Sequence, residues 1–161
     1  MTINRRGFLI SASSFVMLAG LGTHLRAAGP EAMPEAMEVF KSATCGCCKD
    51  WIAHVEEAGF VVTARDVEQD QLAMLKRMAG VPDDLAGCHT ARIGGYVIEG
   101  HVPAADIKRL LQERPDAVGL SVPGMPFGSP GMGPEDQREA YDVVLIRRDG
   151  GAEVFTSYPA A

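Results

Sequence analysis

Apolar and polar positions along residues 37–114 alternate between two periods, and each change of period marks a new element. Met37 to Ser42 is a short apolar stretch that predicts a strand. From Gly46 the apolar positions Cys48, Trp51, Ile52 and Val55 recur at three- and four-residue spacing, which predicts a helix closed by Gly59. Phe60 to Val67 opens on a continuous apolar run and predicts a buried strand. Residues 69–79 return to the helical period, with Leu72, Leu75 and Met78 as the buried face and Gly80 as the stop. Two short strands, 90–93 and 96–98, flank Gly94-Gly95, a hairpin turn signal. Pro103 opens a third helix with an apolar face of Ile107, Leu110 and Leu111, and Arg114-Pro115 closes it.

Strand, helix, strand, helix, strand, strand, helix is the resulting order. A helical crossover joins parallel strands and a two-residue hairpin joins antiparallel ones, so the sheet is mixed. This is the thioredoxin-like layout: an α/β fold with a mixed sheet flanked by helices, its core spanning 37–114. Beyond it, eight of the twelve residues 123–134 are Pro or Gly, which excludes both a regular helix and a central strand. Met125 and Met132 are spaced along this loop with Phe127 between them. Residues 141–146 and 153–158 flank Asp149-Gly150 and predict a C-terminal β-hairpin that extends the sheet. Residues 115–161, the Pro/Gly/Met loop and the terminal hairpin, are expected to belong to the same domain as the core.

The first residues carry a different pattern. Asn4-Arg5-Arg6-Gly7-Phe8-Leu9-Ile10 sets two arginines before an apolar run, and the uncharged stretch reaches Leu25. That describes a twin-arginine export signal over residues 1–28, followed by a linker at 29–36, and places the mature protein in the periplasm. The stretch is only mildly apolar, so no stable membrane anchor is expected after cleavage. Removing it takes away Arg5, Arg6 and Arg26 but no acidic residue, leaving twelve basic against twenty-one acidic residues, −9 in place of −6. A domain this acidic repels phosphate backbones, and nucleic acid is not an expected partner.

The chemistry concentrates in Cys45-Gly46-Cys47-Cys48, where the first strand meets the first helix. Unpaired N–H groups and the helix dipole stabilise a thiolate there, which suits both nucleophilic attack and metal ligation. Cys45 and Cys48 have the spacing of a redox pair; helical phase puts Cys48 on the buried face and leaves Cys47 more accessible. A disulfide enzyme needs two of these thiols, whereas a metal site uses all three. A pair of structural disulfides fits badly, because the neighbours Cys47 and Cys48 need separate partners and only Cys88 is distant. Cys88 is followed by His89, and His101 stands where a strand turns into a helix. Sulfur and imidazole together are donors that copper(I) and zinc prefer. His89 is open between ligand and hydrogen-bonding residue, His101 points to a functional role, and His54 reads as a solvated surface residue. No phosphate-binding glycine loop, Gly-x-Ser-x-Gly elbow or His-Glu-x-x-His pair occurs, and no segment suggests a hydrolase.

Residues 42–51, Ser-Ala-Thr-Cys-Gly-Cys-Cys-Lys-Asp-Trp, resemble the opening motif of the bacterial domain-of-unknown-function family 411. Three further blocks match in order: Cys88-His89-Thr90-Ala91; residues 95–103 from Gly95 to Pro103; and residues 119–126 followed by 128–132. The resemblance covers about Val39 to Met132, with Ala43 where proline is usual and Gly87 where serine is usual. It implies a thioredoxin-like fold and a connection with copper, without an established reaction. Thioredoxins and glutaredoxins carry a proline beside the redox pair at the start of the third strand. Here Thr90-Ala91 stands there, leaving space beside Cys45 that a thiol or imidazole can enter. The expectation is therefore a metal-binding protein with no catalytic residues. Its candidate ligands are Cys45, Cys47, Cys48 and Cys88, with His89 or His101 completing or gating the site and Met125 and Met132 as further ligands or a lid. Copper(I) is the expected ion and zinc the alternative; the expected partners are the metal ion and another periplasmic copper protein or exporter. A thiol-disulfide oxidoreductase using Cys45 and Cys48 is the competing reading, and a structural zinc module the third.

Overall fold

The computed structural model describes residues 36–161; the segment read as an export signal, and the expected linker except for its last residue, lie outside the described residues. Strand β1 (Ala36–Lys41) alternates cleanly, turning Met37, Val39 and Lys41 inward. Helix α1 (Gly46–Glu57) buries Cys48, Trp51 and Val55, the three- and four-residue stripe of the sequence, and ends as Gly59 takes a φ of 97°. Strand β2 (Val61–Asp66) returns parallel to β1, with Ala36 opposite Val61. Helix α2 (Gln69–Met78) leads through a 3-10 turn (Asp83–Leu85) to β3 (Thr90–Ile93) and β4 (Tyr96–Glu99), an antiparallel pair. Gly94 and Gly95 turn between them at φ 56° and 88°, the left-handed conformation that favours glycine.

Helix α3 (Ala104–Glu113) then crosses over to β5 (Ala117–Ser121), parallel to β4. The Pro/Gly loop and a second 3-10 turn (Glu135–Gln137) lead to β6 (Tyr141–Arg147) and β7 (Ala152–Tyr158), which pair antiparallel. Among the described residues one seven-stranded sheet runs β2-β1-β3-β4-β5-β6-β7. Trp51, Ile98, Ile107, Leu110 and Leu120 are fully buried in its main core. Asp106 on α3 accepts from Thr156 and Tyr158 on β7, tying the last strand to the third helix.

Three local readings change. Residues 60–67 do not form a buried strand: Phe60 is buried, but β2 is an edge strand whose side chains are mostly exposed. Met78 is 74% exposed rather than part of the α2 face, and Leu75 is only half-buried, so Leu72 alone anchors that helix deeply. Strand β5 carries no expectation from sequence. Its five residues include Gly119, where a Cβ would fall 1.7 Å from the Val97 carbonyl oxygen, so the strand trades side-chain signal for close backbone approach to β4.

The pairing brings the chemistry to one end of the sheet. Phe40 near the end of β1 lies opposite Thr90 at the start of β3, Thr90 lies opposite Glu99 at the end of β4, and Glu99 lies opposite Ser121 at the end of β5. The segments carrying Cys45–Cys48, Cys88-His89, His101 and the Pro/Gly loop therefore all begin or end at that edge.

Candidate metal centre

Cys45 is the N-cap of α1, and its Sγ accepts the backbone N–H of Cys48 at 3.3 Å. Cys48 is fully buried, while Cys45 and Cys47 are half-buried, the ranking that helical phase requires. The turn before β3 delivers Cys88 into the space beside Cys45. Its Sγ lies 3.1 Å from that of Cys45, 3.3 Å from Cys48 and 3.5 Å from Cys47, and Cys45 and Cys47 are themselves 3.5 Å apart. All four sulfurs lie within 4.8 Å of one another. Cys45 and Cys48 are joined as a disulfide, and Cys47 and Cys88 are free. The expectation of four thiolates thus meets one bonded pair and two thiols. Reduction of that pair leaves four sulfurs spaced for metal–sulfur bonds of about 2.3 Å, so the donor set fits a soft ion.

Cys88 is held from behind by a buried network that the sequence did not announce. Glu99 is fully buried; one carboxylate oxygen accepts from Gly87 N at 2.7 Å and from Lys76 Nζ, and the other accepts from Thr90 Oγ1 at 2.7 Å. Lys76 also donates to Thr90 Oγ1 at 3.1 Å. The turn is packed tightly: a Cβ on Gly87 would fall 2.6 Å from Gly100 Cα. Burial first, then the neighbouring Cys47 thiol, push the Cys88 thiol up to about 11. Free Cys88 is therefore a protonated thiol near neutral pH, which weakens it as a nucleophile and makes metal binding a proton-releasing event. The one sequence sign of the network is Glu99 itself, a carboxylate ending an otherwise apolar strand.

His89 and His101 are both fully buried beside these sulfurs. The His89 ring sits 4.3 Å from that of Trp51 and 5.1 Å from that of His101. His101 Nδ1 pairs with the Pro130 carbonyl at 2.8 Å, which ties the Pro/Gly loop to the site. Neither nitrogen of His89, nor Nε2 of His101, meets a hydrogen-bond partner. A buried polar group left so costs about 1–3 kcal/mol. Burial lowers the pKa of both, for His89 together with the charges of His101 and Lys76, so both rings are neutral and able to donate lone pairs.

The remaining sequence candidates divide. Met125 is exposed and lines, with Cys88, Gly87 and Gln69, a cavity of about 330 Å³ at the site's outer edge. Met132 is half-buried inside the loop, its N–H bonded to Ser129 O. His54 is not a solvated surface residue: half-buried, it accepts the N–H of Ala104 at 3.2 Å, at the start of α3. Trp51, one turn earlier, donates to Val102 O at 2.9 Å, so α1 grips the segment after His101 at two points.

Four sulfurs and two neutral imidazoles at one edge of a mixed, helix-flanked sheet define a protein with a soft-metal donor set. The chain belongs to the DUF411 family, described as "Protein of unknown function, DUF411", whose model matches residues 85–132. It resembles the solved structure named Copper resistance protein copG, form 1, at 52% identity, covering 79% of this chain and 99% of that one with a TM-score of 0.73. Form 2 of the same protein matches at 52% identity, 78% and 99% coverage and a TM-score of 0.72. No curated protein matches the chain.

Proposed function

We propose that this protein binds copper(I) in the periplasm, reached by twin-arginine export, and serves copper tolerance, storage or delivery. The observation that carries the reading is the convergence of Cys45, Cys47, Cys48 and Cys88 at the N-terminus of α1. Two features support it: the similarity to a copper resistance protein, and a sheet order β2-β1-β3-β4 that agrees with the thioredoxin-like core we propose. Thiolates favour copper(I) over harder ions. Zinc is the alternative ion for the same donors. Ions reach or leave the site through another periplasmic copper protein or an exporter.

One observation favours a second reading. The Cys45–Cys48 disulfide is the bond that a thiol-disulfide oxidoreductase would form and break, with Cys45 attacking a substrate disulfide and Cys48 resolving the mixed disulfide. Two features weigh against it. A third and a fourth sulfur crowd the pair, and Thr90-Ala91 stands where such enzymes carry a proline.

Anaerobic titration of the reduced protein with copper(I) against a competing chelator, beside a disulfide-reductase assay, separates the two. Copper binding that weakens in both Cys45→Ser and Cys88→Ser, with negligible turnover, is the expected result. Weak binding with turnover that needs Cys45 and Cys48 overturns the reading and makes this a redox enzyme.

A further inference from the structure

Residues 123–134, with eight prolines and glycines in twelve positions, have no helix or strand of their own to hold their shape. The loop nevertheless lies directly on the start of α1. A Cβ at Gly131 would fall 2.6 Å from Trp51 N and 2.8 Å from the Cys47 carbonyl oxygen, and its φ of 80° is a conformation that favours glycine. On this side the loop is tied by single hydrogen bonds. His101 Nδ1 donates to the Pro130 carbonyl, and Gly124 N donates to the Ala86 carbonyl at 3.1 Å.

The far side is held more densely, and its centre is Arg138. Arg138 Nε donates to the Pro159 carbonyl at 2.9 Å, and Nη1 donates to Glu135 Oε1 at 2.8 Å. The Arg138 carbonyl accepts the N–H of Ala161 at 2.9 Å, and the guanidinium lies 5.8 Å from the centre of the Tyr158 ring. The side chain is only 14% exposed, low for a residue type that is mostly solvated. The loop backbone rests on this residue: a Cβ at Gly128 would fall 2.4 Å from Arg138 Cα. Next to it, Glu139 accepts the Phe127 N–H on its carboxylate and gives its own N–H to the Phe127 carbonyl, both at 3.0 Å.

We infer that Arg138 is a positioning residue that holds residues 128–132 shut over α1 and so sets access to Cys47 from outside. A planar guanidinium gathers the 3-10 turn at 135–137, the end of β7 and the chain after it at fixed angles, which the point charge of a lysine does not. The frequency with which such a loop opens depends on the bonds its own opening breaks, not on the stability of the core. Those bonds run through Arg138 and Glu139, far from the sulfurs in sequence and outside the donor set. The consequence for ions rests on the metal-binding reading: an ion that passes the loop does so at a rate that Arg138 governs.

The test needs no metal. In the full chain with the Cys45–Cys48 disulfide closed, the rate of Cys47 alkylation by iodoacetamide is read by peptide mass spectrometry, beside backbone hydrogen exchange. Arg138→Ala is expected to raise the Cys47 rate on the order of 10-fold. It should also speed exchange at Gly128 and Met132, whose N–H groups close the loop, while β1 and β3 keep their protection. Arg138→Lys, which keeps the charge facing Glu135, should give a smaller rise and decides the matter if the alanine variant does not fold. Gly131→Ala, which pushes the loop off α1 with Arg138 intact, should raise the same rate. Unchanged alkylation in both Arg138 variants, or exchange that speeds in core and loop alike, overturns the inference. In the reduced protein loaded with copper(I), Arg138→Lys should pass the ion to a competing chelator faster, and an unchanged transfer rate overturns the link to ion exchange. A wild type that binds no copper(I) would sink the metal-binding reading alone, since alkylation still decides the role of Arg138.

Discussion

At the scale of single residues, the position of Cys88 depends on one buried carboxylate. Glu99 is fully buried, and the Lys76 side chain paired with it is only 12% exposed. Two desolvated charges gain little as a pair, but removing one partner leaves the other buried and unmet, which typically costs about 3–5 kcal/mol. Glu99→Gln keeps the shape and one carbonyl for Gly87 N, yet strands the Lys76 charge. It is expected to destabilise the protein by about 3 kcal/mol, read by urea denaturation. Lys76→Met in the same chain should recover part of that loss, and a double-mutant cycle with no coupling between the two would refute the account. Nothing in the sequence links Lys76 to Glu99, because twenty-three positions separate them and the link exists only once α2 lies against β3 and β4. The cysteines were legible for the opposite reason: their reactivity and their spacing at a strand-to-helix junction are local facts.

At the scale of elements, local periodicity predicted what it can predict and missed what the neighbours decide. The face of α1 followed from the spacing of Cys48, Trp51 and Val55, and the turn at Gly94-Gly95 from its residue types. Whether β2 is central or at an edge depends on which strands pair beyond it, and residues 60–67 carry no record of that. His54 looked solvated because its partner, Ala104 N, belongs to a helix fifty residues away. That contact has a pH signature. The bond needs an unprotonated Nε2, and burial outweighs the nearby Glu57 and Glu135 to lower the His54 pKa below 6.5. The folded state then binds fewer protons than the unfolded chain. Its stability is fully present above about pH 6.5 and is lost as pH falls through the folded value, with the lowered pKa values of His89 and His101 acting in the same direction. Denaturation of the disulfide form from about pH 8 down to 5 should show this fall, and His54→Gln should make it shallower. An unchanged pH profile in His54→Gln would show that the α1–α3 contact contributes nothing.

At the scale of the whole molecule, the core and the candidate site are adjacent but separable. Trp51, Ile98, Ile107 and Leu120 pack between the sheet and its helices, and among the described residues seven paired strands hold the frame. A domain built this way keeps its fold without metal, unlike a small zinc module whose binding energy is its folding energy. Reduced, metal-free protein is therefore expected to melt in one cooperative transition. Copper(I) should then raise the melting temperature by linkage, because it binds the folded chain at preassembled donors: about 2.7 kcal/mol when free ion stands at a hundred times its Kd. For a domain of this size that corresponds to a rise on the order of 10 °C. Anaerobic calorimetry of the reduced protein, with and without copper(I), reads both quantities. A metal-free sample with no cooperative transition would place the protein among structural metal modules. A cooperative transition that copper(I) leaves unmoved would remove the thermodynamic basis for a preformed copper site. The expected pair of results, folded without the ion and more stable with it, is what a carrier requires, since a protein that unfolds on release cannot be loaded again.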